Sequence, residues 1–246
     1  MSELMRPIQF EKLMKWAFEE YDNNGSIFGI KKEKIYRNKS GTNIEIFGDR
    51  ISTPIGPAAG PNAQLSQNII TSYLAGSRFV ELKTVQKMDG EDLRKCIARP
   101  CINAEDEGYN VEWSTELTVP EAFDEYIKGY IALHVLAKEL EISDTKDFLF
   151  SMSVGYDLEG IKSEKINNYI EGMKDASQTE IWKECINWIR ENISKFKRFT
   201  EEDIEKISPN VCSTICLSTL HGCPPEEIER IDKYVIFVTK IHTFMK

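Results

Sequence analysis

The feature that most constrains this chain is an apolar run, Phe148 to Val154, set closely behind a long amphipathic segment, Pro120 to Leu140. Such a run suits a strand covered on both faces, which is the habit of parallel sheets. Parallel neighbours need a long crossover, and Pro120–Leu140 supplies one, with Ala122, Tyr126, Tyr130, Leu133 and Ala137 at helical spacing. The unit repeats along the chain. Ile55 opens a small-residue turn, Gln64–Leu74 returns to helical spacing, and Arg78–Val85 is a β-rich run ending in Lys83-Thr84. Residues 159–209 are strongly charged and carry helical segments around Trp182, Ile186, Ile189 and Ile193, which reads as crossover helix plus insertion. Val211–Leu220 is another strand-like run. Glu226–Val238 is a helix with prolines before it and acids in its first turn, and His242–Lys246 begins one more strand.

Upstream of the repeats, Phe10, Leu13, Met14, Ala17, Phe18 and Tyr21 mark an amphipathic helix that stops at Asn23-Asn24-Gly25. Asn43–Phe47 and Arg50–Pro54 then alternate around Gly48-Asp49 as a β-hairpin. Alternating strands and helices leave a doubly wound sheet or a (β/α) barrel. Polar or Gly-rich residues follow each strand's C-terminal end, where a barrel keeps its active site, and no Gly-x-Gly-x-x-Gly fingerprint follows the first strand. The expected fold is therefore α/β: an incomplete (β/α)8 TIM barrel of four strands and the beginning of a fifth, where a full barrel has eight in roughly 250 residues. Residues 1–54 form an N-terminal helix and hairpin extension, and 55–246 a partial barrel with a helical insertion at about 160–210. Such a sheet is expected to expose unpaired edges and an apolar interior, so a partner chain supplies the rest or the chain is a fragment.

A formal net charge of -9 leaves no basic face for a nucleic-acid backbone. No apolar run approaches signal or membrane length, so no membrane partner is expected and the chain reads as cytoplasmic. The six cysteines form no Cys-x-x-Cys units with partner histidines, which makes free thiols the expectation and offers no metal template. The acidic group Glu105, Asp106, Glu107, Glu112 and Glu116 fits no calcium loop and reads as a solvated face. Trp113, Trp182 and Trp188 read as core or interface anchors.

Four stretches together carry a family resemblance: Pro54-Ile-Gly-Pro-Ala-Ala-Gly60, Phe79-Val-Glu-Leu-Lys-Thr84, Met152-Ser-Val-Gly-Tyr-Asp-Leu-Glu-Gly160 and Leu217-Ser-Thr-Leu-His-Gly-Cys-Pro-Pro225. They resemble the dihydroorotate and dihydropyrimidine dehydrogenase barrels. Along essentially its whole length the chain is similar to the N-terminal part of the large selenate reductase-type subunit, an iron-sulfur flavoprotein family. The resemblance implies a flavin-dependent oxidoreductase module in which the barrel holds FMN. Further domains of that family, outside this sequence, carry FAD, a pyridine nucleotide site and 4Fe-4S clusters. It also implies that the strand begun at His242 continues past Lys246, in line with a truncated barrel.

The same resemblance assigns roles. Ala58, Ala59 and Gly60 let backbone approach a flat ring, although an ordinary tight turn has the same composition. Lys83 would set an ammonium beside the reduced flavin and Thr84 a hydroxyl, against the alternative of a lysine snorkelling to solvent. Lys246 matches a second flavin-contacting lysine. Cys223 falls where a catalytic cysteine donates a proton to substrate, with His221 as the other candidate acid; Cys223 may equally be read as a small buried residue before a Pro-capped helix. Asp157 stands where related barrels carry a substrate-binding asparagine, and Ser218 and Thr219 stand near another, so the small-molecule substrate stays open. The expected partners are that substrate and the remaining barrel and electron-transfer domains, for which a downstream reading frame is the expected source. The isolated chain is expected to bind FMN weakly or not at all and to be inactive alone, because the loops after strands 7 and 8 normally grip the phosphate. Two rivals remain: a non-catalytic half-barrel completed by a partner chain, and a small α/β hydrolase using Cys223 with His221.

Overall fold

The computed structural model describes residues 5–60, 63–96, 117–155, 157–212 and 214–218, with 226, 229, 230, 232 and 233. The first helix, α1 (Phe10–Asn24), buries Phe10, Leu13, Met14 and Ala17, and closes on Gly25 in the left-handed conformation that glycine adopts without strain. Glu20 accepts hydrogen bonds from Ser26 Oγ and from the Phe28 and Gly29 amides, which fastens a short hairpin, β1 (Ser26–Ile27) with β2 (Ile30–Lys31), to the helix end. A second hairpin pairs β3 (Ile44–Ile46) with β4 (Asp49–Ile51). Its turn is Phe47-Gly48, both at positive φ, one position before the expected Gly48-Asp49. A two-residue turn with both φ angles positive matches the twist of the strands it joins, and the Ile46–Asp49 pairing closes it there.

The remaining strands form one parallel sheet in the order β5 (Phe79–Glu81), β6 (Leu149–Gly155), β7 (Thr214–Ser218). Chain order and spatial order agree, as successive barrel strands do; a doubly wound sheet reverses at a switch point. On the far side of β5 runs Ile55–Pro57. The Phe79 amide donates to Ile55 O at 3.2 Å and the Glu81 amide to Pro57 O at 3.3 Å, a parallel register two residues long. This is the first strand of the repeat in rudimentary form, so the described residues hold four parallel neighbours in sequence. The sheet does not close on itself among them. The helix expected at 226–238 lies largely outside the described residues, and the strand at 242–246, the acidic group at 105–116 and Trp113 lie wholly outside them.

One face of the sheet is packed. Val80, Leu82, Phe150, Met152 and Val154 join the core with α2 (Ser66–Leu74) and α4 (Val119–Glu139). The long helix α4 starts in a capping box, in which the Thr118 side chain accepts from the Glu121 amide while the Glu121 carboxylate accepts from the Thr118 amide. Its Tyr130 ring meets Phe148 and Phe150 edge-on, and its Glu125 carboxylate accepts the Ser66 amide and hydroxyl at the start of α2. After β6 come α5 (Leu158–Ile161), α6 (Glu164–Lys174), α7 (Glu180–Asn192) and α8 (Glu201–Ile204), the helical stretch expected at about 160–210. Trp182 is buried, and Trp188 packs partly buried against Phe10. A short α3 (Gly90–Cys96) follows β5. Among the described residues no helix is long and apolar enough to cross a membrane.

His134 on α4 gives a measurable consequence of this packing. Its Nε2 is sealed from solvent without a hydrogen-bond partner, and the ring sits 4.8 Å from Tyr130 and 5.0 Å from Phe148. Burial first, and the Lys146 charge second, lower its pKa from 6.5 to about 3. The unfolded chain therefore takes a proton below pH 6.5 that the folded chain refuses, and stability falls as pH drops through that window toward the folded value. His134→Phe should remove this part of the acid sensitivity, on the order of 2 kcal/mol at about pH 4.5. Urea unfolding of both proteins at neutral and acid pH measures it.

Candidate functional site

The C-terminal ends of the parallel strands share one rim. Ile55–Pro57 runs into Ala58-Ala59-Gly60, β5 into Lys83-Thr84, and β6 into Gly155 and Asp157. The rim is drawn together by the inner face of the sheet, which alternation assigns to Phe79 and Glu81 on β5, Ser151 and Ser153 on β6, and Thr214 and Cys216 on β7. On this face Phe79 is joined by hydroxyls, a thiol and one carboxylate. The face borders an open concavity of about 680 Å³ lined by Phe47, Phe79, Glu81, Ser151, Thr214 and Cys216 among others. Ser153 Oγ is bonded to Thr84 Oγ1 and Glu81 to a backbone amide, whereas Thr214 Oγ1 is buried without a hydrogen-bond partner.

The connections begin at Glu81. Its Oε2 accepts the Ala59 amide at 3.2 Å, which holds the small-residue turn against β5. The Cys216 thiol, two strands away, lines the same concavity as Glu81 and stands beside Ser153, its direct partner in the β6–β7 register. Burial first, then the neighbouring Glu81 carboxylate, push the thiol up to about 11, so it is protonated at neutral pH. Ser153 Oγ lies 2.8 Å from Thr84 Oγ1.

Thr84 reaches this face because β5 carries an extra residue. The Leu82 amide donates to Ser151 O and the Val85 amide to Ser153 O, so β5 advances three residues while β6 advances two. That is a bulge, the device by which strands re-aim side chains near functional sites. The bulge contains Lys83 and Thr84. Lys83 is 9% exposed, so its stem is buried, and its carbonyl accepts the Tyr126 hydroxyl of α4 at 2.8 Å. The core helix thus fixes the end of β5.

At the next strand end Asp157 begins α5. Its Oδ1 accepts the Gly160 amide at 2.6 Å, an N-cap that already occupies one carboxylate oxygen. Ser218 is the last residue of β7, and its side chain, like Thr219, His221, Cys223 and Lys246, lies outside the described residues. The rim therefore brings together Ala58–Gly60, Lys83, Thr84 and Asp157. Sequence reasoning missed Glu81 and Cys216 as site residues. The available signal was a glutamate between Val80 and Leu82 in an otherwise apolar stretch; no spacing in the chain connects it to a cysteine 135 residues later. Cys185, Cys212 and Cys216 are free thiols, and among the described residues no group of three or more metal-ligating side chains is placed to hold an ion.

Comparison with known proteins adds a family. The domain described as "Oxidoreductase YgfK, N-terminal TIM-barrel domain" matches residues 28–246. Two curated relatives, each named "Putative oxidoreductase YgfK", come from Escherichia coli strain K12 and from Escherichia coli O157:H7. Each is 43% identical over 258 residues, an alignment that takes in 100% of this chain and 25% of the relative. The chain thus spans about a quarter of the length of those relatives. No solved structure matches it.

Proposed function

Because the chain belongs to the family of the YgfK N-terminal TIM-barrel oxidoreductase domain, we propose that it is the flavin-holding module of a larger oxidoreductase, with FMN seated on the rim of strand ends. The observation that carries this reading is the meeting of a turn without large side chains, Ala58–Gly60, with a buried lysine stem and a hydroxyl, Lys83 and Thr84, at adjacent strand ends. The residues fit the group. Methyl and hydrogen side chains leave a flat aromatic ring room beside backbone, and a lysine ammonium balances the charge that such a ring gains on reduction. When bound, FMN supplies hydride and single-electron transfer, chemistry for which no amino acid side chain here is equipped.

The chain's own residues bind, orient and hold protons. Tyr126 fixes the Lys83 carbonyl, the β5 bulge aims Thr84, and Asp157 can accept from a substrate donor but cannot donate while ionised. Cys223 is proposed as the proton donor that follows β7 in the chain, with His221 as the alternative acid, and Lys246 as a further flavin contact. The substrate is a small heterocycle or oxyanion; reduction of selenate and of a pyrimidine to its dihydro form both fall within that class. Electrons come from domains beyond this sequence, for which FAD and 4Fe-4S clusters are the proposed carriers.

Titration of the purified chain with FMN, followed by quenching of flavin fluorescence, tests the reading. Weak binding is expected, and Lys83→Met should weaken it about tenfold, or about 1.4 kcal/mol. Binding that ignores Lys83→Met, or that survives filling the turn by Ala59→Leu, would remove the flavin site from this rim. A second reading, a non-catalytic half-barrel completed by another chain, draws on the open inner concavity and on Phe47, which is 70% exposed at its edge. In that case the chain should form a stable complex with a partner yet leave FMN untouched.

A further inference from the structure

We infer that Glu81 is the positioning residue of this rim: its carboxylate holds the Ala58–Gly60 turn in place against β5, on the same concavity as Cys216 of β7. The inference rests on the flavin reading only for what lies on the rim; the bond from the Ala59 amide to Glu81 stands by itself.

The Ala59 amide can only donate, so Glu81 Oε2 accepts from it at 3.2 Å. Hydrogen bonds to a charged acceptor are the stronger kind, and this one fixes the small-residue turn against β5. Across the inner face the register sets Cys216 of β7 beside Ser153 of β6, Glu81 and Cys216 line one concavity, and Ser153 Oγ lies 2.8 Å from Thr84 Oγ1, with either hydroxyl able to donate.

The arrangement explains two features that packing leaves open. A glutamate at the end of β5 faces the concavity where a barrel interior ordinarily holds branched apolar residues. The turn Ala58–Gly60 has no large side chain to anchor it in the core, so its position depends on backbone contacts. Among the described residues its bonds are those from the Gly60 amide to Ala58 O, from the Ala63 amide to Gly60 O and from the Ala59 amide to Glu81, and the last of these reaches the sheet. Among the described residues that line the concavity with Cys216, Glu81 is the one with a charge.

Two conservative variants of the whole chain separate positioning from bulk structure. Glu81→Gln keeps a carbonyl oxygen for the Ala59 amide and removes the negative charge beside the thiol. Its Ala59 amide should exchange with deuterium at the wild-type rate, while the pH midpoint for alkylation of Cys216 by iodoacetamide, read by peptide mass, falls by about one unit. Glu81→Ala should show the same lowered midpoint and an Ala59 exchange at least tenfold faster, with amides of α4 unchanged. If Glu81→Ala does not fold, Glu81→Gln carries the test alone. An unshifted alkylation midpoint in Glu81→Gln, or unaltered Ala59 exchange in a folded Glu81→Ala, overturns the proposal. FMN titration of the same proteins separates the two readings: wild type that takes up no flavin removes the cofactor assignment and leaves the exchange result to decide Glu81, whereas wild type that binds should lose about tenfold in affinity with Glu81→Ala.

Discussion

Replacing Asp147 by alanine is expected to cost about 3–5 kcal/mol of folding stability, the usual effect of stripping one partner from a buried ion pair. Arg78, which precedes β5, is fully buried, and its Nε donates to Asp147 Oδ2 at 2.8 Å. The same carboxylate accepts the Ser52 amide and hydroxyl, both at 2.7 Å, beyond the end of β4. Asp147 therefore joins the second hairpin, the start of β5 and the approach to β6. Without it the guanidinium keeps the Tyr73 and Ser77 carbonyls and its stacking on the Tyr73 ring at 4.0 Å, but no counter-charge. A buried cation without a partner is the expensive state.

Arg78→Ala should be about as damaging, and the double variant should lose much less than the sum of the two, because the charge left unpaired by either single change is then gone. Urea unfolding of the four proteins closes the cycle. This cluster lies at the N-terminal ends of the strands, the end of a barrel that serves stability, so at the opposite rim the Ala59 amide should keep its exchange protection while folded Asp147→Ala persists. Additive losses would show that the pair does not act as a unit.

The contrast between the two ends explains how much was readable in the sequence. Elements with enough residues to display a period were legible: α1, α4 and α7 through helical spacing, β6 through its length of buried residues, and β5 and β7 as strand-like runs. The β1–β2 hairpin went unseen because two-residue strands have no period to display; its cue was Phe28-Gly29, with Glu20 waiting on the preceding helix. Arg78 also gave no signal, since an arginine before a strand is ordinarily a surface residue and its burial depends on a carboxylate 69 positions away.

Candidate site residues divide the same way. Small residues, a lysine and an aspartate after strand ends could be named from their places in a repeating unit. Glu81 and Cys216 could not, because their role arises from the pleat, which turns both toward the same face, and from the parallel register that sets Ser153 beside Cys216. A local pattern can mark where a strand stops. It cannot say which side chains meet across three of them.

The sharpest single test of the strand-end arrangement is Gly56→Ala. A Cβ built on Gly56 would lie 1.2 Å from the Phe79 carbonyl oxygen and 2.4 Å from its carbon, and both belong to the backbone of β5, which has no rotamer with which to yield. Segment 55–57 must therefore move away from the strand. It then loses the bonds from the Arg78 and Phe79 amides to Ile55 O and from the Glu81 amide to Pro57 O. Overpacking and several lost backbone hydrogen bonds together should cost about 3 kcal/mol or more. The displacement also carries the Ala58–Gly60 turn off Glu81, so a folded remnant should expose the Ala59 amide to exchange. Gly60→Ala is the control. Its nearest heavy atom would be the Ala58 carbonyl oxygen at 3.8 Å, ordinary contact, and its φ is not in the left-handed range, so the change should stay within about 0.5 kcal/mol. Thermal unfolding of the two variants reads the difference. If Gly56→Ala behaved like Gly60→Ala, segment 55–57 would not be seated on β5, and the turn would have no fixed place on the rim.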